Sequence, residues 1–313
     1  MKARIYSIVY GAEGVLLYDL RSPDENELPP FEAGAHVDVN MPGGITRSYS
    51  LLNDSSERHR YVLGVKREPA SRGGSAWLHD EVRVGSIVEI SEPRCDFRLN
   101  EGAQRSVFFA GGIGVTPLWS MAQRLTALNK PWNLYYRGRS RSTTALLRDL
   151  ADPKFKDSVV LSFSDDPSSK RLDIAGIVAS SPAGTNFYCC GPLAMLEGFE
   201  LACAGLPKEL VHAEYFQAKE APSTEGGFVL RLAKSGHSIA IQPGQTLLEA
   251  VASAGVAVPS SCQQGVCGAC EVTVLAGKPD HRDLVLSESE RQSGNTMMIC
   301  CSGSLTPELV LDL

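Results

Sequence analysis

The stretch Ser260-Ser261-Cys262-Gln263-Gln264-Gly265-Val266-Cys267-Gly268-Ala269-Cys270 spaces three cysteines as C-x4-C-x2-C, and a fourth, Cys300, follows well downstream in the run MMICC. This is the ligand spacing of plant-type [2Fe–2S] clusters. A loop that brings three thiolates to one metal pair must turn tightly, and Gly265 and Gly268 supply the permissive backbone. The remaining loop positions carry no branched side chain except Val266, which leaves backbone N–H groups free to point at sulfide and thiolate and so tune the centre. Structural zinc sites usually pair two close two-cysteine arms instead. On the residues alone the fourth ligand is Cys300 or its neighbour Cys301. Such a cluster carries single electrons and does no bond chemistry, so the rest of the chain must supply an electron source, a destination, or both.

At 313 residues the chain has room for about two or three domains. Its formal charge of −6 and the lack of a Lys/Arg block argue against nucleic acid as a partner. No apolar run reaches the ~18 residues of a membrane span. The start, MKARIYSIVYGAEG, alternates like a strand, meets Glu13 early and lacks a small-residue cleavage site, so it reads as the first strand rather than a signal peptide. Nine cysteines without an export signal point to a reducing compartment, the cytoplasm by default.

Three textures divide the chain. Residues 1–102 are short strands broken by turn clusters such as PDENELPPFEAG and MPGG, which predicts a small antiparallel barrel. Residues 103–219 alternate apolar strand runs (SVFFAGG, WNLYYRG, SVVLSFSDD, NFYCCGP) with helical segments, which predicts a parallel sheet flanked by helices. The polar run QAKEAPSTEGG leads into the cluster domain, with the linker proper at 220–227. In 228–313 a hairpin, FVLRLAKSGHSIAIQ, precedes a helix over 246–254 and then the cysteine loop. The expected fold is thus multidomain, β plus α/β.

Several motifs carry chemistry. On one predicted strand Arg47 and Tyr49 face one side and Ser48 and Ser50 the other, a pattern that fits a flavin's phosphate, ring and polar edge, and equally an ordinary edge strand. Gly64-Val65-Lys66 precedes the turn Ser71-Arg72-Gly73-Gly74-Ser75, which opens a helical segment and offers N–H groups to a phosphate, with Arg72 adding charge; the other reading is a solvated turn with a serine cap. Gly111, Gly112 and Gly114 lie between an apolar strand and a helix that begins near Thr116 and Pro117. That turn suits a pyrophosphate, although Pro117 stands where the usual fingerprint has its third glycine. Cys190, Gly191 and Pro192 end another strand of the same sheet, so both turns face one crevice. Cys190 reads as a wall residue rather than a nucleophile, since no histidine is near in sequence. Arg137, Arg139 and Arg141 follow the second strand, as acceptors of a 2′-phosphate or as solvated cations. His281-Arg282-Asp283 reads as a charge-stabilised turn, or alternatively as a docking patch.

In order along the whole chain, RSYSLLND, SRGGS, AGGIGVTP, YCCGP, VHAEYF, SSCQQGVCGAC, DHRDLVL and ELVLDL resemble the phthalate dioxygenase reductase family, which includes the vanillate demethylase reductases. The resemblance implies a flavin-binding β-barrel, a nucleotide-binding α/β domain and a C-terminal β-grasp ferredoxin domain. It implies a cluster held by Cys262, Cys267, Cys270 and Cys300. It also implies a flavin, FMN rather than FAD, lined by Arg47, Ser48, Tyr49, Ser50, Val65, Lys66, Gly73, Gly74, Ser75 and Thr116, with Phe216 against it. NADH would be flanked by Gly111, Gly112, Gly114, Cys190, Gly191 and Pro192.

The activity so implied is electron transfer from NADH through flavin and cluster to a separate Rieske-type oxygenase. A hydride brings two electrons and the cluster takes one, a difference a flavin can hold. No side chain is needed as acid or base, so Thr116 and Cys190 are positioning residues only. The chain is expected to act as a monomer. Rival expectations are a reductase for a cytochrome or a separate ferredoxin, and a redox sensor.

Overall fold

A computed structural model of the chain describes residues 1–313 except Ala70 and Arg72, so the charge read at Arg72 lies outside the described residues. The chain forms two compact units, Met1–Glu214 and Tyr215–Leu313.

The first unit begins with β1 (Lys2–Ala12), β2 (Val15–Arg21), β3 (His36–Met41), β4 (Ile45–Ser50), β5 (Tyr61–Lys66) and β6 (Ile87–Ile90), joined antiparallel in the order β4-β3-β6-β1-β2-β5. The two ends of this sheet meet through a bridge between Leu51 and Leu63, with the Leu52 N–H donating to Val62 O at 3.0 Å, which closes the barrel and removes its edges. Alternation along the strands turns Ile5, Tyr18, Val37, Val39, Leu63 and Val65 into one core, where each large side chain contributes about 1.5–3 kcal/mol by leaving water. A short helix, α1 (Gly74–Asp80), plugs one end; Tyr18 Oη donates to Leu78 O at 2.8 Å.

The same unit continues into a wholly parallel sheet of β7 (Ser106–Gly111), β8 (Trp132–Gly138), β9 (Val159–Phe163), β10 (Asn186–Cys190) and β11 (Val211–Glu214), ordered β11-β10-β7-β8-β9. Helix α2 (Val115–Ala127) covers one face and is buried along most of its length, while α4 (Ile174–Ser180) and α5 (Leu193–Cys203) lie on the other, where Phe199 packs on Phe109; a single turn, α3 (Leu147–Leu150), precedes β9. Strand order reverses between β7 and β10, the switch point at which open α/β sheets bind ligands. The barrel and this layer are joined by polar contacts as well as apolar ones: Ser120 Oγ donates to Asn53 O and Gln123 Nε2 to Leu52 O.

The second unit holds a mixed sheet ordered β13-β12-β18-β14-β16, from β12 (Val229–Leu232), β13 (Ser238–Ala240), β14 (Glu271–Ala276), β16 (Thr296–Met298) and β18 (Glu308–Leu311), with a small pair of β15 (Pro279–Asp280) and β17 (Gly303–Ser304). Helix α6 (Leu247–Ser253) starts at a capping box of Thr246 and Glu249 and buries Leu247, Ala250 and Val251 against this sheet; α7 (Glu288–Ser293) starts at a second box, Ser287 and Glu290. The fold class read from the sequence is the one observed.

Candidate functional site

In the first unit two motifs distant in sequence come together. Gly73 has φ 95° and Gly74 lies directly against β4: a Cβ on Gly73 would fall 2.6 Å from Ile45 Cδ1, and one on Gly74 2.6 Å from Arg47 Cγ. Only glycine lets α1 begin this close to the strand. Ser75 Oγ accepts from Glu68 N and donates to Ser71 Oγ, which also receives the Ala76 N–H. Arg47 Nη1 donates to Thr46 O at 2.7 Å. Tyr49 is flanked by the barrel core, and burial pushes its phenol above the usual range. Ser48 has a protein partner: its hydroxyl donates to Asp38 Oδ1 at 2.7 Å, and Asp38 also pairs with Arg94 at 2.6 Å. Ser50 and Val65 are buried, and His79 Nε2 lies 3.0 Å from Val65 O. Lys66 pairs with Glu68 at the surface.

The barrel reaches the nucleotide layer through Gly64. A Cβ there would meet Thr116 Cγ2 at 2.8 Å and Leu52 Cδ2 at 3.2 Å, so Thr116 sits directly on β5. Thr116 Oγ1 donates to Ile113 O at 2.9 Å, which fixes its methyl towards the barrel. Gly112 has φ 54°, and its carbonyl accepts from Tyr136 Oη at 3.0 Å.

The two turns expected to share a crevice are in backbone contact. A Cβ on Gly114 would lie 2.3 Å from Cys190 O, and one on Gly111 would lie 2.5 Å from Pro192 Cδ and 3.1 Å from Gly191 Cα. Cys190 is fully buried, and burial drives its thiol well above the ordinary range, with the nearby Glu214 carboxyl adding to the effect. It is therefore a poor nucleophile.

Glu214 was not legible as a site residue. Parallel register sets it opposite Cys190. Burial first, and the charge of Asp96 second, raise its pKa to about 8, with the neighbouring Cys190 thiol acting in the opposite sense. Glu214 Oε2 is shielded and has no partner within the protein. The one available signal was an acidic residue at the end of an otherwise apolar strand, in VHAEYF.

In the second unit the cysteine loop folds around Cys262. The N–H groups of Gln264 and Val266 donate to its Sγ at 3.3 and 3.5 Å, and the N–H of Cys262 donates to Cys267 Sγ at 3.5 Å. Hydrogen bonds from the thiols of Cys267 and Cys300 hold Cys262 below the ordinary thiol range, and Cys270 is lowered by Cys300 in the same way. Cys300 thus stands beside Cys262 and Cys270. Cys301, fully buried and beside Cys300, directs its Sγ to Met298 O and Ser302 Oγ. Gly265 at φ 68° backs onto it: a Cβ would lie 2.4 Å from Cys301 Sγ and 2.9 Å from Asp283 Cα. Among the described residues no three His, Cys, Asp or Glu side chains close on a point for a single ion. A binuclear centre asks for a spread set, two cysteines per iron, and sulfur ligands fringed by N–H donors suit it.

The turn at 281–283 is held by local contacts: Asp283 is buried and its Oδ2 accepts from Val285 N and Leu286 N, while His281 is half-buried and Arg282, also half-buried, pairs with Asp280 and Glu225. Phe216 belongs to the second unit and is exposed there.

The model of the 2Fe-2S iron-sulfur cluster binding domain family matches residues 230–303. The phenoxybenzoate dioxygenase subunit beta of Ectopseudomonas oleovorans is 63% identical over 310 residues, covering 99% of this chain and 96% of that protein. A vanillate O-demethylase oxidoreductase of Pseudomonas sp. (strain HR199 / DSM 7063) is 40% identical over 306 residues, 96% of each. Among solved structures, a phthalate dioxygenase reductase described as modular, for electron transfer from pyridine nucleotides to [2Fe–2S], superposes with a TM-score of 0.82 at 38% identity, covering 100% of this chain and 98% of that one. No helix among the described residues is long and apolar enough to cross a membrane.

Proposed function

The chain belongs to the phthalate dioxygenase reductase family, and from that membership we propose that it takes electrons from NADH onto FMN and passes them singly through a [2Fe–2S] cluster to a Rieske-type oxygenase. It is an oxidoreductase. The observation that carries the proposal is the meeting of three glycine-dependent approaches in one unit, Gly74 on Arg47, Gly64 on Thr116 and Gly114 on Cys190, in a chain that also holds the four-cysteine site.

When bound, the flavin supplies the step-down from hydride to single electrons. The protein's part is placement. Arg47, Gly73, Gly74 and Ser75 hold the phosphate; Tyr49, Ser50, Val65 and Lys66 line the ring, with the Ser48 backbone beside them. Gly111, Gly112 and Gly114 admit the dinucleotide, with Gly191 and Pro192 closing the opposite wall. Thr116 and Cys190 position the nicotinamide. Cys262, Cys267, Cys270 and Cys300 hold the iron. Residues 1–102, 103–219 and 228–313 are the three working domains, with 220–227 as the linker, and the protein acts as a monomer.

The test is NADH-driven reduction of a one-electron dye by flavin- and iron-loaded protein, with chromatography of the heat-released flavin and light scattering alongside. Turnover with FMN released is expected. Cys300→Ser should keep flavin and NADH oxidation yet lose cluster absorbance and transfer to an oxygenase. No dye reduction by the loaded protein sinks the proposal.

A further inference from the structure

Behind the cysteine loop lies a group of buried polar atoms that the electron path does not use. His281 is half-buried as a residue, but its side chain is only 9% exposed, and the side chain of Asp283 is fully buried. His281 Nδ1, His281 Nε2 and Asp283 Oδ1 are all shielded from solvent, and none has a hydrogen-bond partner within the protein. Nδ1 and Oδ1 lie 3.7 Å apart, too far for a hydrogen bond yet within reach of an ion pair. Buried polar atoms in native folds are nearly all bonded, so three orphans in one place call for a proton, a water or an ion.

These atoms are tied to the ligand loop. Leu284 N donates to Gly265 O at 2.8 Å, and a Cβ on Gly265 would lie 2.9 Å from Asp283 Cα. Gly265 stands between Cys262 and Cys267, so the backbone of Asp283 packs on the middle of the loop. The other carboxyl oxygen is committed, because Oδ2 accepts from Val285 N at 3.1 Å and from Leu286 N at 2.8 Å. That leaves Oδ1 for His281.

The charges around the pair come from few elements. From α7, Arg291 Nη2 stands 3.9 Å from Asp283 Oδ2 and donates to Asp283 O. Within the segment itself, Arg282 pairs with Asp280 at 2.9 Å and with Glu225 at 3.2 Å, and its N–H donates to Ser302 Oγ. From the turn after Met298 comes the buried Cys301 thiol, engaged by Met298 O and Ser302 Oγ. Arg291 thus balances the Asp283 carboxylate while His281 is neutral. One more negative charge at the cysteines has no such balance, and a proton on His281 provides it. A nearby negative charge favours the charged form of an imidazole, the side chain whose charge most readily changes near neutral pH.

We infer that His281 is a redox-linked proton site: its imidazole takes up one proton from solvent as one electron enters the cysteine-held centre, and releases it as that electron leaves. The acceptor beside Nδ1 sets the tautomer, with Nδ1–H towards Asp283 Oδ1, so the proton adds to the free pair of Nε2. No other bond forms or breaks. The inference rests on the proposed function, which supplies the electron, and deepens it by making the driving force for electron exit depend on pH. The reduced state binds the proton more tightly, so lower pH favours reduction and higher pH makes the centre a stronger reductant.

The test is a potentiometric titration of flavin- and iron-loaded full-length protein at steps from about pH 5.5 to 9, a range that brackets imidazole titration. The reduced centre is counted by low-temperature electron paramagnetic resonance. At a fixed potential the ratio of reduced to oxidised centre in wild type should rise as pH falls, by about tenfold over the range, which is a shift of about 59 mV. His281→Phe and His281→Gln should keep their iron and give a ratio independent of pH. A flat wild-type profile overturns the inference without recourse to any variant, so a poorly folding substitution does not shield it. A slope that persists in either folded variant overturns it too and places the proton elsewhere. Loaded protein with no resonance from a reduced centre overturns the cluster reading and the inference with it, whereas a resonance with a flat profile overturns the inference alone.

Discussion

Cys190 and Glu214 stand opposite each other at the C-terminal ends of β10 and β11, paired by parallel register. Both groups are held in their neutral forms by the same cause, removal from water at the switch point of the sheet. The pair forms a neutral polar wall beside the Gly114 turn.

That pair predicts a pH signature. The folded-state pKa of Glu214, about 8, lies above its ordinary value of 4.5, so the folded chain binds this proton more tightly than the unfolded one. The associated stability is fully present below pH 4.5 and is lost as pH rises through about 8. Glu214→Gln, which cannot ionise, should therefore gain stability relative to wild type as pH rises across that window. Denaturant midpoints of the two proteins measured from about pH 5 to 9 check it; a pH-independent difference between them counts against the buried neutral carboxyl.

Gly64→Ala tests the junction of barrel and nucleotide layer. The added Cβ meets Thr116 Cγ2 at 2.8 Å, so the Gly112–Gly114 turn must move off β5 or the barrel must give. Overpacking of this kind costs about 1–3 kcal/mol. Flavin content should hold while the rate of flavin reduction by NADH, followed by stopped-flow absorbance, falls by tenfold or more. A variant as stable and as fast as wild type would mean that Thr116 has room to retreat.

Gly265→Ala tests the cluster loop. Its φ of 68° strains any L side chain, and the new methyl would run into Cys301 Sγ at 2.4 Å and Asp283 Cα at 2.9 Å. Iron content and visible absorbance should drop several-fold. Cys301→Ala alone should leave both intact, because the Cys301 sulfur, although beside Cys300, is engaged by Met298 O and Ser302 Oγ. Loss of the cluster in Cys301→Ala would instead make Cys301 a ligand.

Much of the site was readable because its signals are local. The C-x4-C-x2-C spacing with Gly265 and Gly268, and the turns at 73–75 and 111–114, are short segments whose backbone needs are written in their own residues. The helix expected over 246–254, which starts at the Thr246 capping box, belongs with them. Ser48 shows the limit: alternation placed its hydroxyl on a strand face, and only the neighbouring β3 supplied Asp38 as its partner.

By itself the sequence determined three textures, their order, and the residues with which each must turn, cap and ligate, since periodicity and turn chemistry act over a few residues. Tertiary structure alone decided which of Cys300 and Cys301 meets Cys262, and that Glu214 stands beside Cys190. Those relationships depend on strand order and register. Register is set by the packing of whole sheets, where a slip of one residue sends every side chain to the opposite face.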